Sequence, residues 1–213
     1  MRIYRSFFIS FLLIFTISGS LYGQKFKFSV HGALVLAQVD GDKLRGFSKI
    51  GYNAGIQGGY RINASSEFIV AQGFSSFGSK GSNKSIKRPD DYFIEINMVT
   101  ANLLFAYAHY LNTGWSGESK FRLFTGIKIH QVLSNDYSLS YNSFEENPPV
   151  MIEDFRDRFL GIYLGAGYLV ASNLYLDLSF EHSLSNILED SPINTVAKSL
   201  NPYHISIGLN FYL

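Results

Sequence analysis

Cysteine is absent from the chain. That excludes disulfides, thiolate metal ligands, a cysteine nucleophile and a lipidated cysteine anchor. Charge is scarce, at 16% of residues, and neither sign dominates, with 18 Lys+Arg against 17 Asp+Glu. No basic excess is available for a nucleic-acid backbone, so nucleic acid is not an expected partner. The apolar run of about 20 residues that a membrane-spanning helix needs is missing too. So are a G-x-S-x-G elbow, an H-E-x-x-H pair and a P-loop, and no cofactor or metal is expected.

What the chain does have is 16% aromatic residues and 19 glycines among its 213 residues. That is a strand-forming composition, in an amount suited to one domain. Residues 1–23 read as a cleavable export signal. Arg2 and Arg5 give a basic start, 7–17 a short apolar run, and Ser18, Gly19, Ser20 and Gly23 the small residues of a cleavage region. Cleavage is expected before Gln24, with a cut after Ser20 as the alternative. Loss of both arginines leaves 16 basic against 17 acidic residues, near −1.

From residue 24 onward the apolar residues alternate with a period of two. Phe26, Phe28, Val30, Leu34 and Leu36 share one face of a first strand, with Lys27, Ser29 and His31 on the other. The same pattern recurs in Ile50–Tyr60, and it continues in strands around 121–129, 160–168, 174–180 and 203–213. Strands near 67–76 and 93–107 alternate less cleanly, and a bulge is expected around 100–102. Across the clear strands one face carries bulky Phe, Leu, Ile and Tyr without a charge. The other mixes charges with glycine. Small and ionic groups fit a narrow bore, and bulky apolar groups fit lipid, where a charge at mid-depth costs about 2–4 kcal/mol. A soluble barrel, the alternative, would turn its glycines and charges to water.

The connections after strands two, four and six are short (near Asn63, 113–118 and 171–173). The others are long: 38–48, 77–91, 135–157 and 186–201. Alternating short and long connections match the periplasmic turns and external loops of an outer-membrane barrel. The expected fold is therefore all-β: an eight-stranded antiparallel up-and-down transmembrane β-barrel over residues 24–213, in the outer membrane. Aromatic girdles are expected at Phe26, Tyr60, Phe68, Tyr110, Trp115 and Tyr168 on one rim, and at Phe47, Tyr92, Phe93, Phe159 and Tyr203 on the other.

Eight strands enclose a bore that side chains can fill. The inward positions supply Lys27, Arg61, Arg122 and Lys128 against Glu67, Glu95, Asp177 and Glu181. Buried charges must pair, so a charge-paired network that plugs the lumen is expected. His31, His130 and His204 are expected to join it. His182 with Ser183 and Ser185 is the best candidate for a catalytic group, outweighed by a plain role at the rim. Lys80, Lys84, Lys87 and Arg88 in one loop face the acidic residues Asp136, Glu145, Glu146, Glu153, Asp154 and Asp157 in another. The two loops are candidates to touch each other, or the basic one to meet headgroup phosphates.

The stretch Q-V-D-G-D-K-L-R-G-F-S-K-I-G-Y-N-A-G resembles the signature of the PorT-like outer-membrane β-barrel family of Bacteroidetes. The matching positions are Gln38, Asp40, Gly41, Asp42, Gly46, Lys49, Gly51 and Gly55. Tyr92 to Asn97 is similar to that family's Y-L-E-I-P segment, with Phe93 and Asn97 in place of its leucine and proline. The ending S-I-G-L-N-F-Y-L resembles the C-terminal signal read by the barrel-assembly machinery, except that it closes on Leu213. The resemblance implies partners in outer-membrane lipids, the assembly machinery during biogenesis and an envelope or secretion protein. The balanced lumen, the missing catalytic motifs and the resemblance together point to a structural or accessory role, non-enzymatic, and the resemblance adds a link to protein secretion. A small-solute channel and a lipid-modifying enzyme are the alternatives.

Overall fold

The computed structural model describes residues 25–40, 46–82, 92–111, 119–141, 155–188 and 200–213. The expected export signal, and Gly41, Asp42, Trp115 and most of the two charged loops, lie outside them. The described chain forms β1 (Phe26–Asp40), β2 (Lys49–Asn63), β3 (Ser66–Ser82), β4 (Tyr92–Leu111), β5 (Phe121–Tyr141), β6 (Arg158–Ala171), β7 (Leu174–Ser183) and β8 (Asn201–Tyr212). Each strand pairs antiparallel with the next and β8 closes on β1, so the expected eight-stranded barrel is the observed one.

The register fixes the barrel's shape. Cross-strand partners lead from Lys27 through Gly59, Ile69, Ala106, Gly126, Tyr163, Glu181 and His204 back to Ala37. The return point lies ten residues along β1 from the start. This stagger tilts the strands by about 40° and leaves an interior the width of packed side chains. Residues 64–65 and 172–173 are two-residue turns, and the start of β1 and the end of β8 lie on the same side as these turns.

Three strands run beyond the others. β3, β4 and β5 have 17, 20 and 21 residues, although about 9–11 suffice to cross. Residues 77–82 and 135–141, which read as loop, are thus strand standing above the apolar band. The expected irregularity in β4 falls at the expected level but on the neighbouring strand. Val99 pairs with Ser134 and Thr100 with Val132, so the extra residue is Leu133 of β5.

The outer surface is largely apolar, with Leu34, Ile56, Leu123, Leu178 and Leu209 among its exposed side chains. Cross-strand aromatic pairs mark its lower edge: Phe26 with Tyr60 at 5.0 Å and Phe121 with Tyr168 at 4.8 Å between ring centroids. Phe47 meets Tyr203 at the opposite rim, at 5.4 Å. Two expected girdle residues turn inward instead. Tyr110 is buried in the lower interior and Phe159 in the upper. Each follows the inward register of its strand, which sequence alternation left ambiguous in β4.

Candidate functional site in the barrel lumen

The interior is built in tiers. At the turn end, Arg61 and Glu67 are cross-strand partners on β2 and β3. Their charged groups lie 3.6 Å apart. Tyr110 Oη donates to Glu67 Oε2 at 2.6 Å, and the Arg61 guanidinium lies 3.8 Å from the Tyr110 ring centroid. Beside them Arg122 Nη2 donates to Asp177 Oδ2 at 2.6 Å. Arg122 also donates to Tyr212 Oη and rests 4.3 Å from the Tyr175 ring centroid. Aromatic faces thus cover the guanidinium planes that the carboxylates leave free.

The next ionic tier centres on Glu181 of β7, which is 3% exposed. Lys128 Nζ donates to Glu181 Oε2 at 2.6 Å, His204 Nε2 lies 3.3 Å from the same oxygen, and His130 Nε2 donates to Oε1. His130 Nδ1 then accepts the Thr100 hydroxyl at 3.0 Å, which satisfies a neutral imidazole at both nitrogens. Between the tiers lies a polar cavity of about 40 Å³, lined by His31, Asn53, Gln57, Lys128, Asp177 and Asn210 among others. That is room for about three waters.

Above Glu181 the bore becomes apolar. Phe77 stacks on His204 with ring centroids 5.4 Å apart, and Phe159 stacks on His130 at 4.4 Å. Val35, Val39, Ile96 and Met98 line the wall, and Phe155, Ile187, Leu188 and Leu200 close the top. Backbone bonds hold the closing segments. Phe155 bridges Leu188, Arg156 N donates to Ile187 O at 2.8 Å, and Ile187 N donates to Leu200 O at 2.9 Å. Asn186 Oδ1 accepts from the amides of Leu188 and Leu200.

A lipid-facing wall around an ionic interior is the arrangement of an outer-membrane protein, and a family model described as outer membrane protein beta-barrel domain matches residues 7–212. The chain belongs to that family. Solved outer-membrane barrels are similar to it in form. Neisserial surface protein A is 19% identical at a TM-score of 0.42, over 88% of this chain and 97% of that one. The attachment invasion locus protein Ail of Yersinia pestis is 13% identical at 0.36, over 88% and 97%. OprG of Pseudomonas aeruginosa is 9% identical at 0.37, over 89% and 96%. No curated protein matches the chain.

In this outer-membrane barrel the charges named from sequence do not form one network. Arg61 with Glu67, Arg122 with Asp177, and Lys128 with Glu181 are the ion pairs. Lys27 lies over the Tyr212 ring, 5.7 Å from its centroid. Glu95 is elsewhere. Ile96 and Met98 occupy the inward register of β4, so Glu95 takes the outward one, above the apolar band. There it meets Lys49 at 3.1 Å and Lys80 at 3.3 Å. The Lys49 hydrogen bond, with Lys80 adding to it, holds the Glu95 carboxyl below the usual range.

Among the described residues, most positions of the motif named from sequence serve the wall, apart from Lys49, which meets Glu95. Gln38 is buried and donates to Val39 O at 3.3 Å, and Asp40 ends β1, exposed. Gly46 has a φ of 95°, open to glycine at no steric cost. Gly51 and Gly55 face inward against the β3 backbone. His182 and Ser183 are on opposite faces of β7. His182 stacks on Tyr203, and Ser183 donates to Ser185 O at 2.6 Å.

Sequence reasoning missed the reason for the glycines of β6. Gly167 is the cross-strand partner of both Arg122 and Asp177, and a Cβ there would collide with both side chains. Gly161 likewise seats Glu181, and the Lys128–Glu181 pair spans β6 across it. The missing side chains are what let β5 and β7, which are not neighbours, share ion pairs. Gly167→Ala is therefore expected to destabilise the barrel by about 1–3 kcal/mol. Gly32→Ala, where a Cβ meets nothing within 4 Å, should cost nothing. Urea unfolding of the two variants in detergent micelles checks this, and equal midpoints would contradict the account.

Proposed function

We propose that this outer-membrane barrel is a non-conducting, non-enzymatic component of the envelope, exported by the leader at 1–23 and acting in a structural or accessory role. The observation that carries the reading is the filled bore. Ionic tiers around Glu181, Asp177 and Glu67 lie below an apolar cap of Phe155, Ile187, Leu188 and Leu200. A conducting pore would favour a wetted path with a ring of one charge sign. The resemblance to PorT-like proteins directs the role toward protein secretion, with outer-membrane lipids, the assembly machinery and an envelope protein as partners.

Purified monomeric barrel in planar lipid bilayers is expected to give no steady ion current. Sustained unitary conductance from the monomer would overturn the filled-lumen reading in favour of a small-solute channel. The secretion role is tested separately by deleting the gene and assaying exported proteins in the medium, where normal secretion would remove it.

A further inference from the structure

Two histidines share one buried carboxylate in the upper bore. His130 Nε2 donates to Glu181 Oε1. His204 Nε2 lies 3.3 Å from Oε2, the oxygen that Lys128 Nζ already meets at 2.6 Å. All four side chains are at most 3% exposed. With both imidazoles neutral, Lys128 and Glu181 balance. With both protonated, three cations face one anion where water does not reach, and buried charge must be paired. The other ionisable groups around the tier are already engaged. Below it, Asp177 of β7 is held by Arg122 of β5, and His31 of β1 is bonded to Asn53. The ring of Tyr163 on β6 lies 4.4 Å from the Lys128 ammonium. On the outward side, Glu95 of β4 takes Lys49 of β2 and Lys80 of β3, and Arg158 of β6 donates to Gln131.

The same two imidazoles support the apolar cap. Phe77 stacks on His204 and Phe159 on His130, and the two phenylalanines meet edge-on at 6.1 Å. Over them lie Phe155, Ile187, Leu188 and Leu200, none of which belongs to a barrel strand. One bridge and a few backbone bonds hold these segments. Every other wall of the tier is hydrogen-bonded barrel or a further ion pair. An imidazolium gains something from an aromatic face, but a ring does not replace a missing counter-charge.

We infer that this tier is an acid-released latch: protonation of His130 and His204 displaces the apolar cap and opens the upper bore to the external side. The closed state keeps the two imidazoles neutral, and the open state lets both take protons from water. An ordinary imidazole titrates near about pH 6.5. Below that point, each extra proton bound by the open state raises its population about tenfold per pH unit. The latch is shut above the imidazole range and released as pH falls through it. The Arg122–Asp177 and Arg61–Glu67 pairs contain no histidine and keep the turn end closed, so release exposes the upper bore without making a pore.

The chain lacks cysteine, so a single introduced thiol reports on the cap. Val39→Cys puts it on the inner wall, at a residue with no exposure. Ser134→Cys, at an exposed position of β5, corrects for the pH dependence of the thiol itself. Both barrels, folded by the criterion of heat-modifiable gel mobility, are treated in detergent micelles with an uncharged, water-soluble methanethiosulfonate from about pH 8 to about pH 5, either side of the imidazole range. The labelling rate at 39 relative to 134 is expected to be flat at the alkaline end. Below the imidazole range it should rise at least about tenfold, with a slope of up to about two in log rate per pH unit. His130→Gln and His204→Gln keep an amide donor and acceptor but cannot titrate. Each alone should lower the slope to about one, and the two together should abolish the rise. A ratio that stays flat in the parent, a rise that survives the double replacement, or single variants with the parent's slope would each overturn the inference. If the double variant is labelled fast at every pH because glutamine loosens the cap, the slopes of the two single variants decide.

Discussion

Glu181→Ala is expected to cost the folded barrel about 3–5 kcal/mol, because it leaves the Lys128 ammonium buried without its counter-charge. The Lys128 and Glu181 side chains are 2% and 3% exposed, so water cannot take over the lost contact. His130 loses its acceptor in the same step, and His204 loses the carboxylate 3.3 Å away. The phenylalanines stacked on those rings hold the site shut from above. Glu181→Gln, which keeps the shape and an acceptor but not the charge, should fall between parent and alanine. The double variant Lys128→Met/Glu181→Leu should recover much of the loss, since it removes both charges together. Guanidinium unfolding in lipid vesicles, followed by tryptophan fluorescence and gel mobility, measures all four proteins. A Glu181→Ala barrel within about 1 kcal/mol of the parent would mean that the tier is open to water, since only then is such a pair worth so little.

The strands legible in the sequence were those whose two faces differ in polarity. β1, β2, β5, β6, β7 and β8 set Leu, Ile and Phe against Lys, Ser, Gly and Asn, and the structure keeps that division. β3 and β4 were blurred because their inward register is itself partly apolar. Ile69, Leu104, Ile96 and Met98 face the bore, while Gln72 faces out. The same blur hid Tyr110 and moved Glu95 to the wrong face. Which charges pair was not legible either. Arg122 and Asp177 meet over Gly167 because the register of β5, β6 and β7 puts the three in one row. Composition counts charges but carries no register. The apolar cap was the least visible part. Phe155, Ile187 and Leu188 come from stretches that read as external loops, and their burial depends on contacts between segments distant in sequence.

The inside-out arrangement itself is tested one residue from the ionic tier. Leu178 is 55% exposed on the lipid-facing side of β7, with Ala166 and Ile207 as cross-strand neighbours. Asp177 points the other way, to Arg122. Leu178→Lys is expected to destabilise the barrel in lipid vesicles by about 2–4 kcal/mol, the cost of a lysine near the bilayer midplane. The lysine has no carboxylate on that face to meet, and its neighbours there are apolar. Were this surface wet, the same change would replace an exposed leucine by a solvated charge at almost no cost. The sign and size of the effect in lipid therefore separate the two environments directly. Unchanged or raised stability of Leu178→Lys, measured by guanidinium unfolding in vesicles, would show that water, not hydrocarbon, covers the outer face, and the assignment of charges to an enclosed lumen would fall with it.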